Sequence, residues 1–240
     1  MGKASTGKVL LGIAAAGTAG LATASAYALR YRLNDETRAI KLLGDDYLDP
    51  ANEPVLDGGG CAIEIDAPAE VVWQHIKQMG QDRAGWYSFE MLERLFTFDI
   101  HNHYAIHPEW QGREAGQFMF YHQPPLGIGS DITAIDEEKR QMATCSDSRK
   151  ATSVPGSMHL VPPLGLDYFC WTWNFGAIEL GPEKSLYISK AQVSFEPFTP
   201  ARKAAVAAAL GFPSYFMLSH QCNLLKRVCE GRKAIVPSHV

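Results

Sequence analysis

The five cysteines, Cys61, Cys145, Cys170, Cys222 and Cys229, form no CxxC pair and no zinc-ribbon spacing. An odd count without such spacing excludes a metal knuckle or dithiol redox module, and it points to free, mostly buried thiols in a reducing compartment. GxSxG is missing as well, and no cysteine stands in a protease context, so nucleophilic catalysis has no support. Positive charge is not in excess: 22 Lys and Arg face 26 Asp and Glu, for a net charge of -4. That sign excludes the basic footprint a nucleic acid needs. The run Gly58-Gly59-Gly60 precedes a strand pattern and not a helix, so it cradles no phosphate.

What is present is ordinary globular composition, with 46% hydrophobic and 20% charged residues. A length of 240 residues suits one well-buried domain and an appendage. The appendage is visible at once. From Val9 to Leu29 there are 21 residues without a charge, flanked by Lys3, Lys8, Arg30 and Arg32. At about 1.5 Å per residue such a helix crosses a hydrocarbon core of roughly 30 Å. Residues 1–32 are therefore expected to be a single-pass membrane anchor. Ala26-Tyr27-Ala28 also fits the cleavage site of a signal peptide, and Met1-Gly2 with Thr6 fits the loose myristoylation pattern. Gly12, Ala16, Gly20, Ala24 and Ala28 line one face of the span, a stripe that permits homodimer packing. Arg38 and Lys41 tilt the orientation towards a cytoplasmic domain.

Residues 33–60 read as a polar connector, broken by Pro50, Pro54 and the glycine run. Alternation in Cys61–Asp66 then predicts a half-buried strand. Pro68 suits a first helical turn, and Val72, Ile76 and Met79 mark the buried stripe of a helix that Gly80 stops. After the polar break Gln81–Gly85, the spacing of Trp86, Phe89, Leu92 and Phe96 predicts a second short helix. The period then changes to two. Strands are predicted at Gln117–His122, Asp131–Asp136, Gln141–Ser146, Tyr168–Phe175 and Ser185–Glu196, with a charged hairpin at Glu137–Arg140. Phe169, Trp171, Trp173 and Phe175 share one face of the fourth of these. An alanine-rich helix starting at Thr199-Pro200 and ending at Gly211 is followed by another from about Pro213, with Tyr215, Leu218, Cys222, Leu225 and Cys229 as its apolar stripe. Such an order predicts an antiparallel sheet burying one face against helices.

Three stretches carry a resemblance: Ile63-Glu-Ile-Asp-Ala-Pro-Ala-Glu-Val-Val-Trp73, Gln78-Met-Gly-Gln-Asp-Arg-Ala-Gly-Trp-Tyr-Ser88 and Ile106-His-Pro-Glu-Trp-Gln111. Together with Trp171-Thr-Trp173 and the last helix, they resemble the START-like (SRPBCC, polyketide-cyclase-like) helix-grip superfamily over residues 61–234. The resemblance implies an α+β domain in which a curved antiparallel sheet of about six or seven strands grips a long C-terminal helix around a cavity for hydrophobic ligands. Glu90-Met91 departs from the Asp-Trp usual after Tyr-Ser, and residues 153–167 are longer than the family pattern. Residues 235–240 remain as a tail.

Arg83 is the foremost polar candidate. It either clamps a ligand oxygen beside Trp86 and Tyr87, or caps the carbonyls of the preceding helix. Phe120, Trp171, Trp173, Tyr187 and Leu218 complete the expected cavity wall. Asp99, His101, His103 and His107 suggest a metal set, but no clean strand pattern fixes their geometry, and no metal or other cofactor is expected. The resulting expectation is a membrane-tethered module that binds or transfers a lipid-, isoprenoid- or polyketide-like molecule. The alternative is a cyclase or hydratase polarising a carbonyl through Arg83, Tyr87 or His107.

Overall fold

In a computed structural model, residues 32–95, 99–163 and 165–231 are described. Among the described residues six strands form one antiparallel sheet: β1 (Leu56–Ile65), β2 (Phe118–His122), β3 (Ile128–Asp136), β4 (Gln141–Asp147), β5 (Tyr168–Gly181) and β6 (Lys184–Glu196). Their order across the sheet is β1-β6-β5-β4-β3-β2. The long pair β5–β6 forms its centre, in register from Tyr168 opposite Glu196 to Gly181 opposite Lys184. Alternation along β5 turns Trp173 and Phe175 towards the main core. Cys170 and Tyr168 pack in a separate cluster with Cys145 and Leu48 on the other face.

Helix α1 (Asp35–Ala39) is a single turn closed by a capping box between Asn34 and Thr37. Helix α2 (Ala69–Lys77) follows β1 directly, with Pro68 at its N-cap. It buries Val72, Trp73 and Ile76 completely, each such side chain stabilising the fold by about 1.5–3 kcal/mol. Helix α3 (Glu90–Leu95) is the second short helix. It begins later than the spacing predicts, because Trp86 and Tyr87 belong to a turn in which Tyr87 takes a positive φ of 52°. Helix α4 runs unbroken from Pro200 to Cys229. The two helices expected there are thus one: Gly211 and Pro213 interrupt a pattern whose apolar face continues on both sides, and packing on the sheet carries the helix across them. Cys222, Leu224 and Leu225 of α4 join Cys61 of β1 and Tyr187 of β6 in the main core, while Val206 joins Phe169, Val193 and Phe195 in a second cluster. Sheet and helix together make a helix-grip arrangement.

The largest departure from the sequence reading is the connector. β1 begins at Leu56, five residues before Cys61, and the chain before it is no free linker. Residues 33–55 form a strap across the sheet face opposite α2 and α4. Leu33 and Leu42 pack on Ile188, and Leu48 packs on Cys145 and Cys170. Asp45 fixes the strap by pairing with Lys190 and accepting from the Asn174 amide at 3.0 Å. The Leu43 amide donates to Gln141 at 2.7 Å. Sparse apolar residues do this work, too irregular to register as a periodic signal. Among the described residues no helix is long and apolar enough to cross a membrane. The expected span Val9 to Leu29, with its small-residue stripe, lies outside the described residues.

Candidate functional site: an apolar cavity under the last helix

The polar break between α2 and α3 is a tight loop. Gly80 and Gly85 exchange two backbone hydrogen bonds of 2.9 Å. Gly85 has a φ of 73°, and a Cβ there would lie 2.5 Å from the His101 carbonyl, so only glycine closes the loop against that segment. Arg83 braces it: Nη1 donates to the Trp110 carbonyl at 2.5 Å, Nη2 to Gln117 at 3.3 Å, and Asp82 stands 3.7 Å away. Arg113 lies alongside, donating to the carbonyls of Lys77, Met79 and Phe118. Burial, with the neighbouring Arg83 charge, lowers its pKa to about 10. The carbonyls at the end of α2 are thus capped by Arg113, while Arg83 reaches the Trp110 carbonyl and Gln117 from the loop.

Under the loop, the Gln78 amide donates to the Tyr87 hydroxyl at 3.1 Å and to the Ala105 carbonyl at 2.9 Å. The Tyr87 hydroxyl is hydrogen bonded to His75 Nδ1 at 2.8 Å. Desolvation pushes the Tyr87 pKa up and holds His75 near 4. A depressed histidine pKa means that the unfolded chain takes the proton more readily. Stability is therefore intact above pH 6.5 and falls as pH drops from 6.5 to about 4, by on the order of 3 kcal/mol for this group. Urea titrations at neutral and acidic pH are expected to show His75→Gln losing less stability on acidification than the wild type. Equal losses would contradict the assignment.

The cavity itself, about 330 Å³, lies between α4 and the sheet. Trp86, Ser88 and Ile100 come from the segments around α3, and Glu93 from α3 itself. Tyr121, His122, Ile128 and Trp173 come from the sheet, Leu160 from the loop after β4, and Met217, Leu218 and Gln221 from α4. Trp86 and Trp173 stack with centroids 5.2 Å apart and planes 12° apart, and Tyr121 leans on Trp86 at 5.4 Å. Gln221 is held at both ends: it accepts from the Tyr187 hydroxyl at 3.0 Å and donates to the Trp86 carbonyl at 3.0 Å.

Of the residues expected at the wall, Trp86, Trp173 and Leu218 come together there. Arg83 does not, because it braces the loop. Tyr87 is fully buried behind the wall on His75. Tyr187 reaches the cavity only through Gln221. Trp171 packs beside Phe169 and Val206 in the second cluster. Phe120 rests against Phe118, with centroids 5.0 Å apart. A register shift between Phe120 and His122 breaks the alternation of β2, so that the neighbours Tyr121 and His122 both line the cavity. Ser88, Glu93 and Gln221 were invisible to a reading that followed apolar periodicity. His122 and Leu160 sit where pattern gives way to a bulge and a loop.

His103, His107 and Trp110 form a ring cluster, with His107 4.1 Å from Trp110 and 5.7 Å from His103. Among the described residues no group of three or more His, Cys, Asp or Glu could hold a metal ion.

No protein-family model and no curated protein matches the sequence. Solved structures similar to this chain include norcoclaurine synthase from Thalictrum flavum in complex with dopamine and hydroxybenzaldehyde. It is 11% identical with a TM-score of 0.38, and the match covers 81% of this chain and 98% of that one. A conserved protein of unknown function from Enterococcus faecalis is 16% identical with a TM-score of 0.37, over 91% and 89% of the two chains. The Zhui aromatase/cyclase from Streptomyces sp. R1128 is 11% identical with a TM-score of 0.33, over 72% and 96%.

Proposed function

We propose that the protein binds or transfers a hydrophobic small molecule, lipid-, isoprenoid- or polyketide-like, in the cavity under α4. One observation carries the reading: a space of about 330 Å³ with almost wholly apolar walls, left open where protein interiors are otherwise close-packed. Each Å² of apolar ligand surface enclosed there contributes roughly 25 cal/mol before ordering costs, so affinity needs no charged residues. The uncharged stretch Val9 to Leu29 supports a tether that keeps the cavity beside a bilayer, the source of such ligands. A catalytic reading through Arg83, Tyr87 or His107 has little to stand on, since none of the three lines the cavity.

The test is native mass spectrometry of the detergent-solubilised full chain, paired with titration of the neutral dye phenylnaphthylamine. A copurifying apolar molecule, released on denaturation and displacing the dye stoichiometrically, is the expected result. A dye that fails to bind ligand-stripped protein would refute the proposal.

A further inference from the structure

Seven large apolar side chains are exposed among the described residues, and five of them sit on three segments that also wall the cavity. Helix α3 gives Glu93 to the wall and holds Met91 and Leu95 in water, four residues apart on one face. The turn between β2 and β3 exposes Leu126, two residues before the wall residue Ile128. The loop after β4 exposes Met158 and Val161, on either side of the wall residue Leu160. Turn and loop are tied together: the Met158 amide donates to the Gly127 carbonyl at 2.8 Å, and the Met158 carbonyl accepts from the Gly129 amide at 3.1 Å. Helix α4 borders the same rim. It has no charged residue from Ala204 to Leu225, and its Phe216 stacks on Phe89, just before α3, with centroids 4.9 Å apart. Ile128, Leu160, Met217 and Leu218 are only half-buried, so the chain itself leaves the cavity unsealed.

Exposed apolar tips gathered round one cavity mark a contact surface. We infer that this rim is the face on which the domain lies against a lipid bilayer, so that the cavity opens towards hydrocarbon and not towards water. The choice of a bilayer rests on the tether proposed above and on where that tether ends. A span from Val9 to Leu29 leaves three residues to reach Arg32, at most about 10 Å of extended chain. Arg32 is fastened to the domain. It bridges to Cys61, and its guanidinium lies 5.5 Å over the ring of Tyr215, two residues before Met217 of the cavity wall. So short a leash holds the middle of α4 at the membrane surface, across a gap far narrower than a folded partner.

The experiment places the full chain in phosphatidylcholine nanodiscs, which leave both lipid faces open to solutes. The fluorophore NBD is attached to Met91→Cys, Val161→Cys or Leu180→Cys. The wild type, labelled alike, gives the background of Cys229, since the other cysteines are buried. Leu180 is also exposed, but it stands at the β5–β6 hairpin, the opposite end of the sheet from the turn after β2. Doxyl phosphatidylcholine is expected to quench the label on Met91→Cys and Val161→Cys. Iodide should quench those two roughly fivefold less than Leu180→Cys, because apolar tips sink about 5–10 Å into the headgroup and acyl boundary. A rim label as open to iodide as the one on Leu180→Cys overturns the inference. Shielding from iodide without quenching by the lipid puts residues 1–31 or a second copy over the rim, and overturns it too. A chain that fails to enter the discs overturns the tether and the docked face together. The phenylnaphthylamine titration needs no bilayer and judges the cavity reading separately.

Discussion

Leu218→Trp is expected to weaken phenylnaphthylamine binding by roughly a hundredfold or more, while the domain still folds. Leu218 projects from α4 into the cavity, one turn before Cys222 and Leu225, which hold the helix to the core. An indole there occupies the space the ligand would take and extends towards the stacked pair of Trp86 and Trp173. The enclosed apolar surface that drives binding is then already covered by protein. Extra atoms in a packed interior cost about 1–3 kcal/mol. Entry into an existing void keeps the cost within the usual stability margin of about 5–15 kcal/mol. Dye titration alongside a thermal melt checks both halves. Undiminished dye affinity in a folded variant would show that the ligand sits elsewhere.

Asp45→Ala carries the largest expected cost in stability, about 3–5 kcal/mol. Its carboxylate and the Lys190 ammonium are both largely buried, with side-chain exposures of 15% and 14%. The same carboxylate accepts from the Leu42 amide at 2.9 Å and from the Asn174 side chain at 3.0 Å. Truncation strands a buried cation and two donors at once. The variant Asp45→Ala with Lys190→Met should recover most of the loss, since it removes the unpaired charge along with its partner. Urea denaturation of the three proteins measures this. A single variant within a few tenths of a kcal/mol of wild type would show that the strap contributes little to holding the fold.

The sheet was legible because its strands keep a period of two over long stretches, and because Phe169 to Phe175 put four large rings on one face. Helix α4 was legible as an apolar stripe, and misread only at Gly211 and Pro213, where local propensity speaks against what packing imposes. The strap was not legible: Leu33, Leu42, Leu48 and Val55 are spaced without period, and the residue that secures them, Asp45, looks like any solvated acid. The cavity was half legible. Trp86, Trp173 and Leu218 are large and apolar, so pattern found them. Arg83 and Tyr87 belong to the same conspicuous motif as Trp86, yet a loop with two positive-φ glycines turns them away from it. Ser88 and Glu93 carry no periodic signal, and only the tertiary arrangement brings them to the cavity wall.

The strap also sets the path of mechanical load. Any pull transmitted from the residues before Arg32 passes first into the bridge between Arg32 and Cys61. It then runs through residues 33–55 into β4, β5 and β6, where Gln141, Asn174 and Lys190 receive it. The same first bridge also touches the last helix, since the Arg32 guanidinium lies 5.5 Å over the Tyr215 ring and Cys61 packs on Cys222. A pull from that end is therefore divided between the back of the sheet and the seam where α4 rests on β1.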